Sequence, residues 1–132
     1  MSRPIRRIAP LAVAVLSAAV LAAPTASGAA STTCKLSTGK ARHLGPTYVA
    51  TADGQARFSV RGTSCADGEK VIKAFHACRL KRGKDGRCTT KVLGYSCTDK
   101  RPAALRSPLS FDGDVMCKSG SKAVAHHYAQ NT

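Results

Sequence analysis

Apolar and polar positions change period along this chain, and the changes outline its elements. Between Arg61 and Arg82, the residues Val71, Ile72, Phe75 and Cys78 recur at helical spacing, with Lys70, Lys73 and Lys81 on another face. The pattern predicts one amphipathic helix. Ser64 followed by Asp67 has capping-box spacing, with Asp where Glu is preferred. Asp67 and Glu69 fall near the positive end of the helix dipole, and Glu69 with Lys73 makes an i,i+4 pair in the favourable order. Gly68 weakens the first turn by up to about 1 kcal/mol relative to Ala. Gly83 and Gly86 end the pattern.

On either side the period drops to two. Ala56, Phe58 and Val60 alternate with Arg57, Ser59 and Arg61, predicting a half-buried strand that feeds the helix. Lys91 to Cys97, KVLGYSC, reads as a second strand with Leu93, Tyr95 and Cys97 on one face. Residues 98–109 hold Pro102, Pro108, Lys100, Arg101 and Arg106 and read as a basic connecting loop. Phe111, Gly113, Val115 and Cys117 then alternate with Asp112, Asp114, Met116 and Lys118. A Ser119-Gly120 turn returns the chain through Val124, His126 and Tyr128, a hairpin. Before all of these, Ser31 to Pro46 reads as an irregular arm carrying Cys34. Thr47-Tyr48-Val49 follows as a short strand before an Asp53-Gly54 turn. The expected fold is α+β, with one helix packed on a three- or four-stranded, mainly antiparallel sheet. Its inward set is Phe58, Val60, Val71, Ile72, Phe75, Leu93, Tyr95, Phe111, Val115, Val124 and Tyr128.

The N-terminus adds a destination. Arg3, Arg6 and Arg7 precede an apolar run from Ile8 to Ala23, and small residues continue through Ala30. A basic start, a short apolar run and a small-residue exit are the marks of a secretory signal peptide, cleaved near Ala29–Ala30. The run is short for a membrane span and no second one follows. Arg6-Arg7 raises twin-arginine export, but the residues after the pair fit that signal poorly. Thr33 before Cys34 argues against lipidation. The organisation expected is a signal peptide at 1–30, an N-terminal arm at 31–54 and a disulfide-stabilised α+β domain at 55–132.

All six cysteines, Cys34, Cys65, Cys78, Cys88, Cys97 and Cys117, follow that cleavage point. An even count in a small exported domain reads as a disulfide framework. Cys78 with Cys88 is favoured, because it closes the Gly-rich charged loop after the helix. Cys97 and Cys117 both point inward, so they can join each other or one can reach Cys65, and Cys34 takes what remains. With no Trp and few aromatics, these cross-links are expected to decide whether the domain stays folded.

The segments TSCADGEKVIKAF at 63–75, GYSC at 94–97 and MCKSGSKAV at 116–124 resemble a group of small exported actinobacterial proteins. In that group a Ser-Cys-capped helix precedes a Gly-aromatic-x-Cys strand and a final Cys-x-x-Gly hairpin. The resemblance implies a scaffold and a destination, not a reaction. It makes Cys65, Cys97 and Cys117 the shared cysteines and Cys78 and Cys88 additions, which supports pairing the additions with each other.

Charge changes the picture last. The chain carries +14 formally, of which three charges leave with Arg3, Arg6 and Arg7. Such a field favours anionic polymers or surfaces, or an acidic protein, as partners. The densest cluster is Arg79, Lys81, Arg82, Lys84 and Arg87, the candidate anion-binding loop. No aromatic side chain is interleaved with it, so no base-stacking platform and no specific nucleic-acid recognition is predicted. A solvated loop that keeps the protein soluble is the plainer reading of the same residues.

Catalysis and metal binding have less behind them. His76 or His126 with Glu69 and Lys73 is the one set able in principle to cleave RNA by general acid–base chemistry. His126 and His127, adjacent on a strand, point to opposite faces, and His43 and His76 would have to join one of them to build a metal site. No cofactor motif is present, and Gly83-Lys84-Asp85-Gly86 lacks Walker spacing. The sequence therefore predicts a secreted, basic, non-enzymatic binding module. A secreted effector or inhibitor of a protein partner is the alternative, and a small nuclease-like enzyme comes after it.

Overall fold

A computed structural model describes residues 28–36 and 56–131. Residues 1–27 of the segment read as a signal peptide, the strand expected at Thr47-Tyr48-Val49, the expected Asp53-Gly54 turn and His43 lie outside the described residues. The described chain runs β1 (Ser31–Leu36), β2 (Ala56–Arg61), α1 (Cys65–Leu80), β3 (Ser96–Lys100), a 3-10 turn (Ala103–Leu105), β4 (Arg106–Ser107), β5 (Ser110–Ser119) and β6 (Lys122–Asn131). It is the α+β fold expected, one helix on an antiparallel sheet. The sheet is wider than the three or four strands read from the sequence, because six strands join it in the order β1-β2-β6-β5-β3, with β4 pairing β5.

Two differences account for the width. Ser31–Leu36, read as an irregular arm, is a strand paired along its whole length with β2, from Ser31 opposite Arg61 to Leu36 opposite Ala56. Only Cys34 and Leu36 in it are buried, too few apolar positions to show the alternation. The basic segment after Cys97 is also partly regular, since Thr98, Asp99 and Lys100 complete β3 and Arg106–Ser107 adds β4 beside β5. In the opposite sense, KVLGYSC is not one strand. Val92 and Tyr95 exchange backbone hydrogen bonds of 2.9 and 2.8 Å across a two-residue turn. Leu93 (φ 48) and Gly94 (φ 81) both take positive φ, as a type I′ turn demands. Leu93 is therefore exposed rather than inward.

The helix forms as its pattern predicts. The Ser64 hydroxyl accepts from the Asp67 backbone N–H (3.1 Å) and donates to the Asp67 carboxylate (2.9 Å). The first-turn ion pair is Lys70 with Asp67 at 3.0 Å, in place of the expected Glu69–Lys73 contact. Gly68 has a reason to be there, since a Cβ would stand 2.6 Å from Val60 and 2.8 Å from Phe58. The missing side chain lets the helix start sit directly on β2. The β5–β6 hairpin closes through Gly120-Ser121, with Gly120 at φ +57, the first-position glycine of a II′ turn.

Three disulfides join Cys34–Cys65, Cys78–Cys88 and Cys97–Cys117. The favoured bond is present, and Cys97 pairs with Cys117 directly across β3 and β5, which leaves Cys34 to hold β1 to the helix start. The bonds are consecutive, so each closes its own loop and none interlocks with another. Chain-entropy arguments give about 2.5–4 kcal/mol each for loops of these lengths, least for Cys78–Cys88.

Between sheet and helix lies a core of Leu36, Phe58, Val60, Val71, Ile72, Phe75, Phe111, Val115, Val124 and Tyr128. Gly113 opposes Tyr128 across β5 and β6, and the Tyr128 ring lies over it. A Cβ at position 113 would stand 2.4 Å from that ring. Gly113→Ala is expected to displace Tyr128 and to lower unfolding free energy by about 1–3 kcal/mol, read as a reduced urea midpoint. An unchanged midpoint contradicts this packing.

Candidate functional site

Helical periodicity continues past Phe75 to two polar residues. Gly68, Val71, Ile72, Phe75, His76 and Arg79 form the buried face of α1. Arg79 is 0% exposed. Its Nε donates to His76 Nδ1 at 2.8 Å, Nη1 to the Lys84 carbonyl at 2.8 Å, and Nη2 to Gln130 Oε1 at 2.6 Å. Its guanidinium also lies 4.6 Å over the Tyr128 ring. This corrects the sequence reading, in which Arg79 belongs to the anion-binding loop. The residue lies one helical turn beyond Phe75 and His76, so its side chain turns inward to brace the loop from beneath.

Arg101 braces the same loop from the other side. Its Nη1 and Nη2 donate to the carbonyls of Asp85 (2.8 Å) and Gly86 (2.6 Å). Its Nε and Nη2 bind Asp99 Oδ2 at 3.0 and 2.7 Å in a buried ion pair, and its guanidinium lies 4.3 Å over Phe111. Burial lowers the Arg101 pKa, but the hydrogen bond and charge of Asp99 outweigh it and leave the value raised. Tyr128 donates to the Asp99 carboxylate at about 3 Å as well. Burial first, and then the Asp99 charge, push the Tyr128 phenol up to about 12, so it stays a donor.

Above these braces the loop closes through Cys78–Cys88. Gly86 fits against the Arg79 carbonyl, which a Cβ would meet at 2.1 Å. The remaining residues of the predicted site, Lys81, Arg82, Lys84 and Arg87, are exposed. Arg87 is tethered, with Nη1 donating to the Asp99 carbonyl at 2.7 Å. Asp85, the one acidic residue in the loop, pairs with Arg106 at 3.4 Å. The site is thus a rim of four cations on a backbone held by one disulfide and two buried arginines. The bracing residues Asp99, Arg101 and Gln130 come from distant segments and no local pattern marks them, whereas the β6 alternation marks Tyr128 as inward-facing.

The histidines divide as their strand positions require. His76 and His126 meet inside, with Nε2 atoms 2.9 Å apart, while His127 lies on the other face of the sheet between Asp112 (3.5 Å) and Asp114 (2.6 Å). Because Arg79 donates to His76 Nδ1, the neutral His76 carries its proton on Nε2 and donates to His126, whose own proton then sits on Nδ1. The pair is 1% and 6% exposed. Glu69 stands about 10 Å away along the helix axis from His76, and Lys73 is exposed, so the acid–base set considered from sequence is not gathered at an open cleft. Among the described residues no group of three or more His, Cys, Asp or Glu could hold a metal ion. No family model, curated protein or solved structure matches this chain, and its chemistry is read from its own geometry.

Burial, the neighbouring His126 and the charges of Arg79 and Arg101 lower the His76 pKa from 6.5 to about 2. Burial, Arg79 and His127 lower that of His126 to about 3. Both folded values lie below the unfolded one. The pair therefore contributes its full stability above about pH 6.5 and loses it progressively as pH falls toward the folded values. Between pH 7 and 5 the loss is expected to be about 2 kcal/mol per imidazole, read as a fall in urea midpoint. His126→Gln keeps a hydrogen-bonding side chain and is expected to halve the pH dependence. Equal midpoints at pH 7 and 5 for the unaltered protein contradict a buried neutral pair.

Proposed function

We propose that this protein is an exported, non-catalytic module that captures anionic polymers or surfaces through the rim Lys81, Arg82, Lys84 and Arg87. The observation that supports this most is the bracing of the loop backbone. Arg79 holds the Lys84 carbonyl, Arg101 holds those of Asp85 and Gly86, and Cys78–Cys88 closes the base. A flexible cationic loop would have to be ordered by its ligand, whereas this backbone already is, and ordering cost is a main drain on binding free energy. The neutralisation of Asp85 by Arg106 leaves the rim uniformly positive.

Export agrees with three disulfides, which persist in oxidising compartments. No helix among the described residues is long and apolar enough to cross a membrane, which says nothing of strands. The basic, Ala-rich leader and the resemblance to small exported actinobacterial proteins support the same destination. Capture by charge suits a partner outside the cell such as an anionic envelope polymer.

The test compares two variants of equal net charge on an anionic polymer matrix. Lys81→Glu/Arg82→Glu/Lys84→Glu is expected to elute at much lower salt than Lys73→Glu/Lys91→Glu/Lys122→Glu. Its dependence of log K on log salt should flatten by about 0.7–0.9 for each cation that no longer meets the polymer. Identical elution of the two variants would show that net charge alone governs retention, and the loop would lose its role.

A further inference from the structure

The face of the sheet that turns away from α1 has an unusual centre. In a sheet covered on one side, the outward positions of central strands are ordinarily polar. Here β6 turns out Ala123, Ala125, His127 and Ala129, three of them alanine. Longer side chains on the flanking strands β2 and β5 stand above them. The result is a trough along β6, made of two contiguous hollows of about 570 and 200 Å³ that share Ser59, Met116 and Ala125.

The register divides the trough into rows. In the first, Arg61 and Lys118 stand on either side of Ala123. They are two strands apart, about 10 Å, with only a methyl group between. In the second row Ser59 and Met116 flank Ala125, and Met116 is 40% exposed. This row has no charge. The third row is cationic at both edges, with Lys35 opposite Arg57 on β1 and β2 and Lys100 opposite Asp114 on β3 and β5. Asp114 accepts from His127 Nδ1 at 2.6 Å, and the row holds three cations, Lys35, Arg57 and Lys100, against this one carboxylate. Rows along a strand repeat every second residue, about 6.8 Å. By net charge the order is therefore cation, apolar, cation.

From this order we infer that the outward sheet face docks an extended segment of a protein partner with the pattern acidic–x–apolar–x–acidic. An extended chain presents alternate side chains on one face at the same spacing of about 6.8 Å. Its first acid meets Arg61 and Lys118 over Ala123, its apolar residue meets Met116 and Ala125, and its second acid enters the hollow that Arg57 and Lys100 both line. A linear polyanion charged at every repeat of similar length would place one charge on the apolar row, where no cation lies. The spacing selects the peptide. This site is separate from the Lys81–Arg87 rim, because that loop follows α1 on the covered side.

The test uses fluorescent nine-residue probes centred on Asp-Thr-Val-Thr-Asp and on its permutation Asp-Thr-Asp-Thr-Val, read by anisotropy with the full exported chain. The first is expected to bind at least fivefold more tightly. Arg61→Gln/Lys118→Gln, confirmed folded by circular dichroism, should remove that preference, and Lys81→Glu/Arg82→Glu/Lys84→Glu should leave it intact. Equal affinities for the two probes overturn the inference, as does a preference that survives Arg61→Gln/Lys118→Gln. Polyphosphate that displaces both probes equally would show a general anion face and also overturn it. Loss of preference in the loop variant alone would assign the peptides to the rim, against the inference.

Discussion

The guanidinium of Arg79 is the group on which the most other structure depends. It reaches one helix, one loop and one strand at once through His76, the Lys84 carbonyl and Gln130, while its face rests on Tyr128. A charge taken out of water is costly unless its donors are matched. Here the matching groups are carried by segments up to 51 residues apart in sequence. Moving any of them exposes a buried donor without an acceptor, a penalty of about 1–3 kcal/mol or more for a charged group. That asymmetry makes the helix end, the loop and the last strand shift together or not at all.

The network continues through Tyr128 to Asp99 and Arg101, so two buried arginines hold the same loop from opposite sides. Within the loop they bind backbone carbonyls, Arg79 that of Lys84 and Arg101 those of Asp85 and Gly86, and no loop side chain. The exposed lysines above keep their conformational freedom while the backbone beneath them is held. The division of labour is physical: buried cations position, exposed cations face the solvent and whatever is dissolved in it.

Much of the fold is legible in the sequence because it rests on local periods. The helix shows in Val71, Ile72 and Phe75, its start in Ser64 and Asp67, and the last hairpin in ten residues of alternation on either side of Gly120. Strand β1 is not legible, since two buried residues in six make no pattern and its partner β2 begins only at Ala56, twenty positions after Leu36. Leu93 misleads for a different reason: an apolar residue between Val92 and Tyr95 looks like a strand centre, and only the positive φ of a tight turn places it outside. The loop cations are visible as a cluster. The inward turn of Arg79 is visible too in the 68, 71, 72, 75, 76, 79 spacing, but its charge argues for the surface and only buried partners overrule that. The bracing partners Asp99, Arg101 and Gln130 depend on long-range strand order, which no local signal encodes.

A core built this way is specific more than it is stable. Two histidines, Arg79 and the Arg101–Asp99 pair occupy volume that in a larger domain would hold apolar side chains, and such groups commonly break even at best against hydrophobic replacements. Small domains have little margin to absorb that, since net stabilities are only about 5–15 kcal/mol. Three independent loop closures at about 2.5–4 kcal/mol each amount to a contribution of that same size. The cross-links and the polar interior are therefore complementary. Covalent closure supplies the stability that a thin apolar core cannot, and it leaves the chain able to bury charged groups that order its loop.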